Sequence, residues 1–183
     1  LGRFQPVMAA AAANKIPVRG SISMVVHCPD DGDTDPQIVA DLASRMMDMG
    51  CYQISLGDTV GMAKPPAIRK LLDQCVHAVG GAYLAGHYHD TGGQALANIA
   101  ASLPYGIRCF DASVGGLGGC PYAPGAAGNV ASEAVAEMLS KAGFATGLDY
   151  DALAVAAKFA TSLRQPSTNK PSTNRPSTKR QTP

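Results

Sequence analysis

At 183 residues the chain is the size of one ordinary domain and is long enough to bury a core of its own. Apolar residues make up 46% and charged residues 16%, which excludes a disordered polymer, and no apolar run reaches the length of a membrane span. The formal charge of +1 hides an asymmetry: residues 164–183 carry five basic groups and no acid, which leaves 10 basic against 14 acidic groups in the body.

In chain order, VRGSISMVVHC (18–28) is a β-branched run that predicts a strand. DPQIVADLASRMMDMG (35–50) follows with Ile38, Leu42, Met46 and Met49 at helical spacing and Gly50 as its stop. CYQISLGD (51–58) reads as a second strand, and a proline-led helix is expected over 65–79. AYLAGHYHD (82–90) is a third strand, followed by a helix of small residues over 93–103 and a fourth strand at IRCFDASV (107–114). Helices over 129–142 and 149–163 complete a body that runs from residue 1 to 163. Four strand-then-helix units without a hairpin signal imply α/β architecture with a parallel sheet covered by helices.

The tail, 164–183, repeats PSTNK-PSTNR-PSTKR from Pro166, Pro171 and Pro176, and holds no apolar side chain that could be buried. It is expected to be a solvated, disordered basic Pro/Ser/Thr extension. A basic arm could touch nucleic acid, but no nucleic-acid or membrane partner is expected. The five cysteines, Cys28, Cys51, Cys75, Cys109 and Cys120, are odd in number and lack paired spacing, so a reducing compartment is expected. The chain begins at Leu1 without a charged-then-apolar leader and is expected to be a piece of something longer.

In parallel α/β folds chemistry collects at the C-terminal ends of the strands. Asp58 and Thr59 end the second strand, His87, His89 and Asp90 the third, and Asp111 and Ser113 the fourth. Alternate residues of a strand share a face, so His87 and His89 point together and Tyr88 points away. Two imidazoles so placed suit one divalent cation, Mg2+, Mn2+ or Zn2+. The alternative is a pair of ordinary buried histidines. The loop GLGGCPYAPGAAGN (116–129) holds one thiol, Cys120, among glycines too costly to order as helix or strand.

Three stretches, CYQISLGDTVG (51–61), HYHDTGGQALAN (87–98) and FDASVGGLGGCPYAPGAAGN (110–129), resemble the 3-hydroxy-3-methylglutaryl-CoA (HMG-CoA) lyases in order and spacing. The resemblance runs from about Arg3 to Leu163. Its most specific part is the glycine–cysteine loop, because related aldolase-like synthases share the HxH strand and lack that loop. The resemblance implies a (β/α)8 TIM-type barrel of which only about four C-terminal strand–helix units are present. It further implies metal-dependent retro-Claisen cleavage of HMG-CoA to acetyl-CoA and acetoacetate, with Mg2+ or Mn2+ as cofactor and an acyl-CoA substrate.

By matching motifs, His87, His89 and Asn129 would be metal ligands, and His87, Asp58 and Cys120 catalytic residues, with Asp58 against the substrate. Ser55 and Thr59 would contribute near the substrate. Cys120 would be a proton donor on a loop that closes over the thioester. A homo-oligomer is expected of the full-length protein, in the cytoplasm of a bacterium or the mitochondrial matrix of a eukaryote.

Departures from the family pattern accompany the match. An eight-stranded barrel needs about 250 residues, and the half that would bring an Arg-Asp pair to the metal and thioester is missing, so the isolated segment is expected to be inactive. Residues 1–15 look like the last helix of that missing half. Gln53 stands where the family tends to have Glu, and Gly92 where a bulkier residue is usual; the first is expected to weaken substrate contacts and the second to loosen the HxH strand end. A Claisen-type acyltransferase or aldolase, and a non-catalytic fragment with exposed sheet edges, are the competing readings.

Overall fold

The structure, a computed structural model, describes residues 1–119 and 128–163. Cys120 and the basic tail lie outside the described residues, and so do the expectations attached to them. An Ala-rich helix α1 (Gln5–Ala13) opens the chain and buries no residue fully. Strand β1 (Arg19–Ser23) then begins the sheet. The expected strand over 18–28 is broken in two, because Met24 takes a positive φ of 55°. Thr34 Oγ1 donates to the Met24 carbonyl at 2.7 Å and fixes that turn. Beyond it, β2 (His27–Cys28) and β3 (Gly32–Asp33) form a small antiparallel hairpin that the sequence reading did not anticipate. Its turn, PDDG, places Gly32 at φ 83°, a conformation that suits glycine.

The remaining order is α2 (Pro36–Asp48), β4 (Gln53–Asp58), α3 (Pro65–Val79), β5 (Leu84–Tyr88), α4 (Ala95–Ser102), β6 (Phe110–Asp111), α5 (Ser132–Lys141) and α6 (Tyr150–Ser162). Helix α2 starts where Asp35 accepts the Gln37 N–H at 2.9 Å and Pro36 fits the first helical position. Asp149 caps α6 in the same way through the Ala152 N–H at 3.0 Å. Strands β1, β4, β5 and β6 form one parallel sheet in that order, joined through helices. The fold is α/β, four strand–helix units of the (β/α)8 barrel type.

One face of this sheet is apolar. Ile22, Ile54, Leu56, Leu84 and Tyr88 are buried there in one core with Val39, Ala43, Ile68, Leu71, Leu72 and Ile99 from the helices. Each such Val, Leu or Ile side chain contributes about 1.5–3 kcal/mol of hydrophobic stabilisation. Tyr88 closes the layer, its hydroxyl 2.9 Å from Ser102 Oγ. Burial pushes the Tyr88 phenol up to about 12, the Ser102 hydrogen bond opposing. Burial likewise pushes the Cys75 thiol up to about 12. The opposite, concave face carries Arg19, Ser21, Gln53, Ser55, His87 and Asp111.

Candidate metal-binding site on the concave face

Paired residues of a parallel sheet point the same way. Ser55 pairs with Ser21 and Ala85, Gly57 pairs with Ser23 and His87, and His87 pairs with Asp111. These positions therefore share the concave face. Asp58 pairs with Tyr88 and so falls on the helix-covered face.

His87 and His89 converge as their alternation requires. Their Nε2 atoms are 3.1 Å apart and their ring centroids 5.1 Å. His89 lies just past the strand end, where its N–H donates to the Asp58 carbonyl at 3.1 Å. An antiparallel bridge joins His89 to Asn129, and the Asp90 N–H donates to the Gly128 carbonyl at 2.7 Å. The far end of the glycine-rich loop is thus tied to the histidine strand. Asn129 Nδ2 donates to the Leu117 carbonyl at 2.9 Å, which leaves Oδ1 as the side-chain atom able to ligate. Gly118 makes this seat available: a Cβ there would stand 2.5 Å from Asn129 Nδ2.

His89 is buried, and its Nδ1 has no hydrogen-bond partner among the described residues. Burial, then the neighbouring His87 charge, hold His89 below the ordinary imidazole range, with Asp58 opposing. A neutral imidazole is the form that binds metal. At 3.1 Å the two Nε2 atoms share one proton as an N–H···N hydrogen bond, and the same spacing allows both to ligate one divalent ion in place of that proton. Among the described residues no group of three His, Cys, Asp or Glu side chains is placed to hold a metal; the two imidazoles meet, and Asn129 is joined to His89 through the backbone bridge.

A chain of polar contacts runs beneath the histidines. Arg19 Nη1 donates to Asp111 Oδ1 at 2.8 Å, joining the first strand of the sheet to the last across its concavity. Ser55 Oγ donates to Asp111 Oδ2 at 2.8 Å, and His87 Nδ1 lies 3.4 Å from the same oxygen. Arg19 Nε donates to Gln53 Oε1 at 2.9 Å. Burial alone would raise the Asp111 carboxyl, but hydrogen bonds from Arg19 and Ser55 and the charges of Arg19 and His87 hold it below the usual range.

Ser55 is therefore on the concave face, though its hydroxyl faces Asp111. Thr59 Oγ1 accepts the Met24 N–H at 3.3 Å and braces the turn after β1. Asp58, which the resemblance puts against the substrate, sits on the helix-covered side of β4. Asp58 is 1% exposed, and its oxygens accept the N–H groups of Gly61 at 3.0 Å and Ala63 at 2.9 Å. The loop it shapes presses on the site, since a Cβ at Gly61 would stand 2.9 Å from His89 Cβ. At Gly92 the N–H donates to the Gly61 carbonyl at 2.8 Å, and a Cβ there would stand 2.9 Å from that same oxygen. Gln53 serves Arg19. The sequence reading did not single out Arg19, and it gave Asp111 no role beyond its position at a strand end. The available signal was parity, which puts Cys109 and Asp111 on one face of IRCFDASV.

The HMGL-like family description matches residues 6–160. The chain belongs to the HMGL-like family. A 3-hydroxy-3-isohexenylglutaryl-CoA/hydroxy-methylglutaryl-CoA lyase of Pseudomonas aeruginosa is 54% identical over 153 residues, covering 84% of this chain and 51% of that protein. The crystal structure of the HMG-CoA lyase from Brucella melitensis superposes with a TM-score of 0.88 at 51% identity, over 90% of this chain and 58% of that one. An HMG-CoA lyase from Acinetobacter baumannii, solved with coenzyme A and 3-methylmalate, gives a TM-score of 0.79 at 32% identity, over 87% and 52%. The HMGL-like chain spans about half the length of the curated relatives it matches.

Proposed function

We propose that this chain supplies the metal-facing half of a lyase that cleaves HMG-CoA, or a close 3-hydroxy-3-alkylglutaryl-CoA, to acetyl-CoA and a 3-oxo acid, acetoacetate in the case of HMG-CoA. The observation that carries the reading is the 3.1 Å approach of His87 Nε2 and His89 Nε2 on the concave face of an HMGL-like chain. His87 and His89 would hold Mg2+ or Mn2+ through Nε2, and Asn129 through Oδ1. When bound, the cation supplies Lewis acidity toward the hydroxyl and carboxylate oxygens of the substrate.

The reaction takes the tertiary hydroxyl proton to a base, turns the C3–O bond into a carbonyl, and leaves the C2–C3 electron pair on C2 beside the thioester. Cys120 would return a proton to C2, giving acetyl-CoA, and the glycines around it would let the thiol approach only with substrate in place. His87 has one ring nitrogen, Nε2, facing the site, so through that atom it either ligates or takes the hydroxyl proton. The His89 contact supports the ligand role. Asp58 is assigned to shaping the loop behind His89. Exposed Phe4 just before α1, Val7 on α1, and Val155 and Phe159 on α6 favour burial against the other half of the barrel or a second subunit. The proposed setting is the cytoplasm or, in a eukaryote, the mitochondrial matrix.

The test joins this chain to the first half of the Pseudomonas aeruginosa relative and assays acetoacetate release from HMG-CoA. The joined protein is expected to release it, chelation to abolish release, and Cys120→Ala to slow it by about 10²-fold or more. The 183-residue chain alone is expected to release none. Undiminished release by the Cys120→Ala protein overturns the role of the thiol, and release of another product overturns the reaction.

A further inference from the structure

Asp111 is the meeting point of three strands. Its Oδ1 receives Arg19 from β1 at 2.8 Å, its Oδ2 receives Ser55 from β4 at 2.8 Å, and the same Oδ2 stands 3.4 Å from Nδ1 of His87 on β5. Arg19 is itself held by Gln53 Oε1 at 2.9 Å and Cys109 Sγ at 3.8 Å. Two donors on two different oxygens fix the plane of the carboxylate, so Oδ2 is presented to the imidazole in one orientation. An ionised carboxylate only accepts hydrogen bonds. At 3.4 Å the contact is electrostatic and longer than a well-formed hydrogen bond, and a carboxylate at that ring edge favours the neutral His87 tautomer with its proton on Nδ1 and its lone pair on Nε2, the atom that faces His89.

We propose that Asp111, clamped by Arg19 and Ser55, is a positioning residue that sets the tautomer of His87 and aims Nε2 into the site. Its consequence for cation binding rests on the reading of His87 as a ligand, whereas the tautomer is read without metal. Gln53 fits this clamp because its neutral carbonyl oxygen orients Arg19 without competing with Asp111 for the ion pair.

The experiment is nitrogen–proton correlation NMR on the metal-free 183-residue chain labelled with 15N-histidine, at about pH 8, above the ordinary imidazole range. His87 is assigned by His87→Gln. The expected result is the Nδ1–H tautomer. In Asp111→Asn the Arg19 donors retain the amide oxygen, the NH2 group replaces Oδ2 and donates to Nδ1, and the tautomer inverts to Nε2–H. Mn2+ affinity then falls by about 10–100-fold with every ligand atom still present. An Nε2–H tautomer in the unsubstituted chain, or an unchanged tautomer in Asp111→Asn, overturns the proposal. The first of these decides even if the variant does not fold. A retained Nδ1–H tautomer in a chain that binds no Mn2+ supports the positioning role and contradicts the cation reading instead.

Discussion

On the helix-covered face of the sheet Ile54, Leu56 and Tyr88 are closed off from solvent, whereas one residue along the same strands Ser55 and His87 form a polar chain with Asp111 of β6. The strands are shared, and the two faces do different work. Two aspartates at strand ends make the contrast plain. Asp58 falls on the covered face and binds two backbone N–H groups, while Asp111 falls on the concave face and binds a guanidinium, a hydroxyl and an imidazole edge. Position at a strand end brings a carboxylate to the right end of the sheet. Parity decides which face of the sheet it meets.

The largest effect that would sharpen this contrast comes from the covered face. Leu72→Ala removes a fully buried side chain and is expected to cost about 2–5 kcal/mol in urea unfolding, with Mn2+ affinity of the folded chain unchanged. Asp58→Ala strands the Gly61 and Ala63 N–H groups and is expected to cost about 1–3 kcal/mol. Loss of activity in the joined protein with no loss of stability would instead put Asp58 at the substrate and break the contrast. Ser55→Ala removes one of the two donors on Asp111, with an expected cost of about 0.5–1.5 kcal/mol and a weaker Mn2+ site.

The mildest test uses alkali. Cys75 and Tyr88 are acids raised from ordinary values of 9.0 and 10.0 to about 12, so above pH 9 the unfolded chain loses protons that the folded chain keeps. Stability is then unaffected by these groups below pH 9 and falls as pH rises from 9 toward 12. In Tyr88→Phe the fall above pH 10 is expected to be shallower by about 1.4 kcal/mol per pH unit. An unchanged slope would show that Tyr88 is not sealed in the covered face.

Most of the fold was legible because each helix announced itself by period and punctuation. Asp35-Pro36, Pro65-Pro66 and Gly50 stand where the helices begin and end. The strands were located but drawn too long. The run 18–28 looks continuous in composition, and what breaks it is a tertiary contact, Thr34 on Met24, which no local pattern carries. The strand expected over 107–114 keeps only Phe110–Asp111 in the ladder. Within the site, the HxH spacing made the histidine pair readable. Arg19 was not, because its role depends on a partner 92 residues away across the sheet. The roles of Asp58 and Asp111 could be separated only once the register β4–β5–β6 was known.

The most direct test of the central claim is a calorimetric Mn2+ titration of the 183-residue chain beside a His87→Ala/His89→Ala version. The account predicts one site in the first and none in the second. No binding in the unsubstituted chain, or the same binding in both, would contradict it.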